Sequence, residues 1–233
     1  MKKNVLVLAL LFGTMQLFAQ DTLSNFGSRQ ARYLEDQLFF NVSYIALQNL
    51  YSGIEQQGFS HSVSFGFIRD IPVNLNRNLG FGLGIGYEKN VYFQNLRIWK
   101  DEQTGEMQYM ILEPGSFSSN SFAVKKLIFP VEIRLRGSTA EKFKFWRLYF
   151  GMTLGYVLSA YSEFENENAA LRYRNLNDIP SRFQYGIHLY AGYADINGYI
   201  YYGLNDLFSP QVKINGEHVP LRDIRFGVML SFL

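Results

Sequence analysis

Residues 127–162 read LIFPVEIRLRGSTAEKFKFWRLYFGMTLGYVLSAYS. Two runs with period-two alternation flank a polar connection. In the first, Phe129, Val131, Ile133 and Leu135 share one face and Pro130, Glu132, Arg134 and Arg136 the other. In the second, Leu148, Phe150, Met152, Leu154, Tyr156 and Leu158 oppose Arg147, Tyr149, Gly151, Thr153, Gly155, Val157 and Ser159. Successive side chains of a strand point to opposite sides, so the stretch predicts a hairpin with one apolar face and one small or charged face.

Working outward, the same pattern recurs. Strands are expected over residues 37–47, 59–68 and from 79 to at least 88, the third open to continuation as far as Trp99. The opening hairpin supplies the fourth, starting near Ser121, and the fifth. Three more follow at 182–195, 199–207 and 221–233, with Asn197-Gly198 as a tight-turn signal between the sixth and seventh. In the third strand Gly80, Gly82, Gly84 and Gly86 alternate with Leu79, Phe81, Leu83 and Ile85. A glycine row relieves crowding inside a small barrel. Its GxGxG spacing is not a nucleotide-binding loop, because no helix follows and every second residue is apolar.

The total is eight strands, with long connections after the first, third, fifth and seventh and shorter ones between. The N-terminus carries Lys2 and Lys3, an apolar run from Val5 to Phe12 and a cleavage-like Phe18-Ala19-Gln20. That is the layout of a secretory signal peptide, and the run is short for a membrane span. No later stretch has about 18 consecutive apolar residues. The expected organisation is a signal peptide over 1–20, a short periplasmic lead-in over 21–36 and a barrel over 37–233.

Period two does not decide which face is outside, and a soluble lipocalin-like barrel would alternate in the opposite sense. Three features favour lipid. The polar face is rich in Gly and Ser. Its charges have both signs and can pair internally. Aromatics such as Tyr87, Trp146, Tyr156 and Phe183 gather near strand ends, as in interfacial girdles. Lipid cannot satisfy open strand edges, so the sheet must close. The fold class is therefore all-β, an eight-stranded antiparallel up-and-down transmembrane barrel of a Gram-negative outer membrane. Short periplasmic turns and long external loops put both barrel termini in the periplasm. A mean hydropathy of −0.08 fits, because inward polar residues dilute outward apolar ones.

Net charge is +2, which gives no reason to expect nucleic acid. The chain has no cysteine, which removes disulfides, thiolate metal sites and a lipoprotein anchor. Of three histidines, His61 falls on the lipid-facing register, His188 points into the lumen and His218 lies in a loop. No nucleophile–base–acid set and no metal-ligand spacing stands out, so no catalytic, cofactor-binding or metal-binding residue is assigned. The candidate site is a lumen charge network of Glu88, Glu132, Arg134, Arg136, Arg147, His188 and Arg225. These charges either line a solute path or form a structural plug. An eight-stranded barrel is just wide enough for side chains to fill, which favours the plug, with Arg134 and Arg136 set against acids such as Glu88 and Glu132.

The segment Leu127–Ser162 resembles the PorT-like outer-membrane β-barrel family of Bacteroidota. The resemblance rests on the apolar-Pro-apolar strand Ile128-Phe129-Pro130-Val131-Glu132-Ile133-Arg134 and the aromatic-rich strand from Trp146 to Tyr161. Two tail segments, 202–208 and 225–233, resemble it as well. It implies a link to type IX protein secretion, while the missing catalytic set and the filled lumen lead to the expectation of a non-enzymatic barrel. A scaffold or accessory subunit of an envelope assembly is expected, with outer-membrane lipid and other outer-membrane or periplasmic proteins as partners. The alternative is a small passive pore or ligand-binding barrel.

Overall fold

The computed structural model describes residues 36–74, 78–101, 103–137 and 146–232. The signal-peptide assignment and all but Asp36 of the lead-in lie outside the described residues. Thirteen strands follow in chain order. The first seven are β1 (Gln37–Gln48), β2 (His61–Pro72), β3 (Leu79–Phe93), β4 (Leu96–Lys100), β5 (Met107–Ile111), β6 (Ser119–Arg136) and β7 (Trp146–Asn166). The remainder are β8 (Ala169–Tyr173), β9 (Phe183–Tyr193), β10 (Ile196–Gly203), β11 (Lys213–Ile214), β12 (Glu217–His218) and β13 (Arg222–Phe232).

Eight of them form a closed antiparallel barrel in the order β1-β2-β3-β6-β7-β9-β10-β13. Closure comes from β1 and β13, paired from Leu38↔Phe232 to Gln48↔Arg222. The smaller strands decorate one end: β4 pairs with β5, β11 with β12, and β8 pairs with the last five residues of β7. The long connections all lie at this loop end. The C-terminal ends of β2, β6 and β9 lie at the other.

The outward positions of the barrel strands are exposed and apolar. Phe40, Phe65, Leu83, Val131, Leu154, Leu189 and Val228 belong to one continuous belt. That inverts the arrangement of a soluble protein, whose exposed apolar patches are small. Aromatic pairs border the belt at both ends: Trp146 with Tyr193 at 5.5 Å near the turns, and Tyr156 with Phe183 at 5.4 Å near the loops.

Several boundaries differ from the sequence expectation. The second strand runs on through Arg69 and Asp70 to Pro72, because Asp70 points inward to buried cationic partners and so continues the alternation. The third stops at Phe93, and Leu96 opens the separate β4–β5 hairpin. Residues 107–111 and 169–173, within the long connections expected after the third and fifth strands, are strands. The turn between β9 and β10 is Ala194-Asp195, not Asn197-Gly198. Ala194 takes a φ of 53°, while Asn197 is buried inside β10 and donates to the Met229 carbonyl at 3.3 Å and to Ser231 Oγ at 3.2 Å. The need to place Asn197, Tyr199 and Tyr201 inward sets the register, and it overrides local turn preference. Asn215-Gly216, by contrast, is a true two-residue turn, with φ values of 53° and 83°.

Two irregularities shape the β6 neighbourhood. Pro130 sits mid-strand, where it donates nothing to a ladder. The β3–β6 register runs from Leu83↔Val131 directly to Gly86↔Ile128, and a Cβ on Gly84 would lie 2.8 Å from Pro130 Cγ. A bulge then interrupts β6–β7. Lys126 faces Val157 and Lys125 faces Ser159, leaving Leu158 as the extra residue. Beyond it the parity of β7 reverses, so Ser159 and Tyr161 share the outward face of Lys125 rather than the lumen face expected for Ser159.

Candidate functional site

The lumen holds three layers. Nearest the turns, Asp70 from β2 receives both terminal nitrogens of Arg136, each at 2.7 Å. Asp70 also accepts from Arg134 Nη1 at 3.1 Å. Arg134 Nε reaches Glu132 at 3.1 Å, its Nη2 donates to Gln37 at 2.9 Å, and its guanidinium lies 4.7 Å from the Tyr149 ring centre. Tyr190 donates to Glu132 at 2.7 Å. Arg147 is buried and stands opposite Arg136 in the β6–β7 ladder.

The middle layer centres on Glu88. Its Oε1 lies 2.7 Å from both Lys126 Nζ and Arg225 Nη1. Lys126 also donates to Gln184 at 3.0 Å. Arg225 Nε meets Asp223 at 2.7 Å, and its guanidinium covers the Tyr201 ring at 4.1 Å. Each layer thus sets carboxylates against cations with planar aromatic support. Buried charges persist only when paired and hydrogen-bonded.

All seven expected residues, Glu88, Glu132, Arg134, Arg136, Arg147, His188 and Arg225, are buried. The pairing is in part the one anticipated, since Arg134 meets Glu132. Glu88 serves Lys126 and Arg225, and it is Asp70 that holds both Arg134 and Arg136. Asp70, Lys126 and Asp223 had not been singled out. Asp223 was legible as the next inward position before Arg225, and Asp70 as the next after Ile68.

The third layer, at the loop end, is apolar. Ile45, Tyr92, Phe122, Val124 and Val157 of the barrel wall pack with Leu96 and Ile98 of β4 and with Leu176, Phe208, Val212, Val219 and Leu221 of the loops. Phe122 and Phe208 meet edge-on at 5.5 Å. The Asn95 side chain pins the β4 hairpin, accepting from Glu55 N at 2.7 Å and donating to the Gly53 carbonyl at 2.9 Å. At the rim, Asp206 accepts from Arg222 at 2.9 Å and lies 3.1 Å from His218 Nε2. Partial burial works to raise the Asp206 pKa, but these two partners outweigh it and hold the carboxyl below the usual aspartate range.

Glycine makes the lumen fit its contents. A Cβ on Gly82 would come within 2.7 Å of Arg134 Nε, and one on Gly203 within 2.6 Å of Asp223 Oδ1. The glycine faces are the recesses into which the large charged side chains insert.

One constellation has the polarity of a catalytic triad. Thr153 Oγ1 lies 2.9 Å from His188 Nδ1, and His188 Nε2 lies 3.4 Å from Glu132 Oε1. All three are buried, and Glu132 is already committed to Arg134 and Tyr190. The Tyr190 and Tyr199 rings stack on His188 at 6.0 and 6.2 Å. A Cβ on Gly151 would sit 3.0 Å from its Nε2. The chain orients an imidazole within packed side chains and leaves the hydroxyl no substrate-sized space. His61 stacks near Phe59 and Phe93 on the outer surface, and His218 sits at the rim. Among the described residues, no group of three His, Cys, Asp or Glu side chains is arranged to hold a metal ion.

A family model described as an outer membrane protein beta-barrel domain matches residues 18–209. No curated protein matches the chain.

Proposed function

The chain belongs to the outer membrane protein β-barrel family, and on that premise we propose that it is a non-enzymatic scaffold or accessory subunit of an envelope assembly. The observation that carries this reading is the filled lumen: two ion-paired layers backed by an apolar cap leave the interior as structure rather than passage. The loops offer a surface for protein partners. Leu50, Phe59, Met110 and Leu171 are exposed apolar side chains on the loop-end connections and hairpins. In this reading both barrel termini are periplasmic and the capped end faces outward.

Conductance tests it. Purified protein in planar bilayers is expected to give no steady single-channel current. Regular unitary currents would overturn the scaffold reading in favour of a passive pore. The narrower form of the proposal, a PorT-like barrel serving type IX secretion, is tested by pull-down from native outer membranes with mass spectrometry. Recovery of secretion components supports it, and recovery of an unrelated envelope complex replaces it.

A further inference from the structure

Inside the barrel, Glu88 is matched by Lys126 and Arg225, and Asp70 by Arg134 and Arg136. One place on its outer surface breaks that rule. Lys89 of β3 and Lys125 of β6 are direct ladder partners on the outward face, at the loop-end edge of the apolar belt. Like charges so placed repel one another. The β7 bulge brings Ser159 and Tyr161 to the same face. Both lysines and Arg172 of β8 then surround the Tyr161 ring, with their charged groups 6.0, 5.7 and 5.1 Å from its centre. Arg174 and Asn175 also line the cleft around these groups, of about 560 Å³. Arg172 is paired with Glu163. Among the described residues, Lys89, Lys125 and Arg174 have no carboxylate in ion-pair range.

A second feature adjoins the first. An apolar groove of about 590 Å³ runs along the belt past Leu38, Phe40, Phe65, Ile85 and Leu127. Tyr87 lines both the groove and the basic cleft. Uncompensated cations at the edge of the belt, adjoining an apolar groove through Tyr87, have the polarity of a lipid. An anion between the opposed lysines would relieve that repulsion. Phosphate supplies it with charge-assisted hydrogen bonds.

We propose that this surface binds one phosphorylated glycolipid of the outer leaflet. A phosphate sits between Lys89 and Lys125 with Arg174 beside it. Sugar hydroxyls meet Ser159 and Asn175, and acyl chains lie along the groove. A glycolipid is favoured over a simple phospholipid because the cleft of about 560 Å³ is lined by four cations, Lys89, Lys125, Arg172 and Arg174, together with the polar side chains of Ser159 and Asn175. The assignment to the outer leaflet rests on the reading that the loops face outward.

The test uses the full mature chain, refolded in non-ionic detergent and examined by native mass spectrometry. Diphosphoryl lipid A, its dephosphorylated form and phosphatidylglycerol are titrated separately, with inorganic phosphate as competitor. One diphosphoryl lipid A per barrel is expected, held at least tenfold more tightly than either other lipid and not displaced by equimolar phosphate. Lys89→Gln/Lys125→Gln is expected to weaken it tenfold or more while leaving heat-modifiable gel migration intact. Equal retention by the double variant, or of the dephosphorylated lipid, overturns the site. Equal retention of phosphatidylglycerol overturns the glycolipid, and displacement by equimolar phosphate overturns a lipid ligand altogether. The dephosphorylated-lipid arm needs no variant, so a folding defect does not shelter the proposal. Micelles have no inside or outside, so orientation is tested apart. Gln103→Cys, in the exposed β4–β5 turn, is expected to react with a membrane-impermeant maleimide on intact cells. Absence of labelling would overturn the outward orientation and with it the leaflet, whatever the binding result.

Discussion

The two ends of the lumen solve the same packing problem with opposite chemistry. Toward the turns the barrel is filled by Asp70, Glu132, Arg134 and Arg136, each dependent on a particular partner atom. Toward the loops it is filled by Ile98, Phe122, Phe208 and Leu221, which need only neighbours of suitable shape. Ion-paired packing is close to all-or-none, because removing one partner strands another charge in a medium that cannot solvate it. Apolar packing is graded, because the loss follows the volume removed. The charged end is therefore expected to be the more partner-specific of the two. The apolar end tolerates variation where loops must adapt.

The sharpest way to break this contrast is Asp70→Ala. It leaves Arg134 and Arg136 buried without their shared carboxylate, and a loss of about 3–5 kcal/mol is expected, read from urea unfolding in detergent or lipid. Adding Arg136→Leu to Asp70→Ala should restore part of that loss. Strict additivity of the two would refute mutual dependence. At the apolar end, Ile98→Ala should cost about 2–5 kcal/mol and Ile98→Val only about 0.5–1.5 kcal/mol. Two similar losses at Ile98 would mean the cap is as partner-specific as the ionic layers.

The smallest effect belongs to the rim. Asp206 has a depressed pKa, so its contribution is present above the unfolded aspartate value near ~4 and is lost as pH falls through the lower folded value. Asp206→Asn should lower the thermal midpoint slightly at neutral pH. That difference should disappear at a pH below both values. A difference that persists in acid would assign the effect to packing rather than charge.

The same contrast explains what the sequence disclosed. The barrel and its polar interior were legible because period two is written into each strand, as in Leu148–Leu158 against Arg147–Val157. The residues of the ionic layers were legible wherever a strand's length was judged correctly. Asp70 was missed because Arg69, Asp70 and Pro72 look locally like a break, although the charge of Asp70 is satisfied by β6, far away in sequence. The apolar cap left no local signature. Leu96 and Ile98 fell in the continuation allowed for the third strand, Val212 and Val219 among polar loop residues, and only the closed topology gathers all four over one opening. Asn197-Gly198 misled for the complementary reason: its turn propensity is real, but the ladder with β13 needs Asn197 inside.

The seam between β1 and β13 also governs time. Through it the Asn41 side chain donates to the Val228 carbonyl, 187 positions away in the chain. The β9–β10 pair closes across Ala194-Asp195 and can form as soon as those residues meet. Each doubling of loop length adds only about 0.6 kcal/mol of closure entropy, so the seam is thermodynamically affordable yet kinetically last, as non-local pairings are. Until it zips, the sheet is an open ribbon with two bare edges, the form of β-structure most prone to join a neighbouring chain. Newly made protein must be shielded through that interval. In the finished barrel the reverse holds: no edge of the sheet is bare until one seam parts, and this seam holds eleven residue pairs against the seven between β10 and β13.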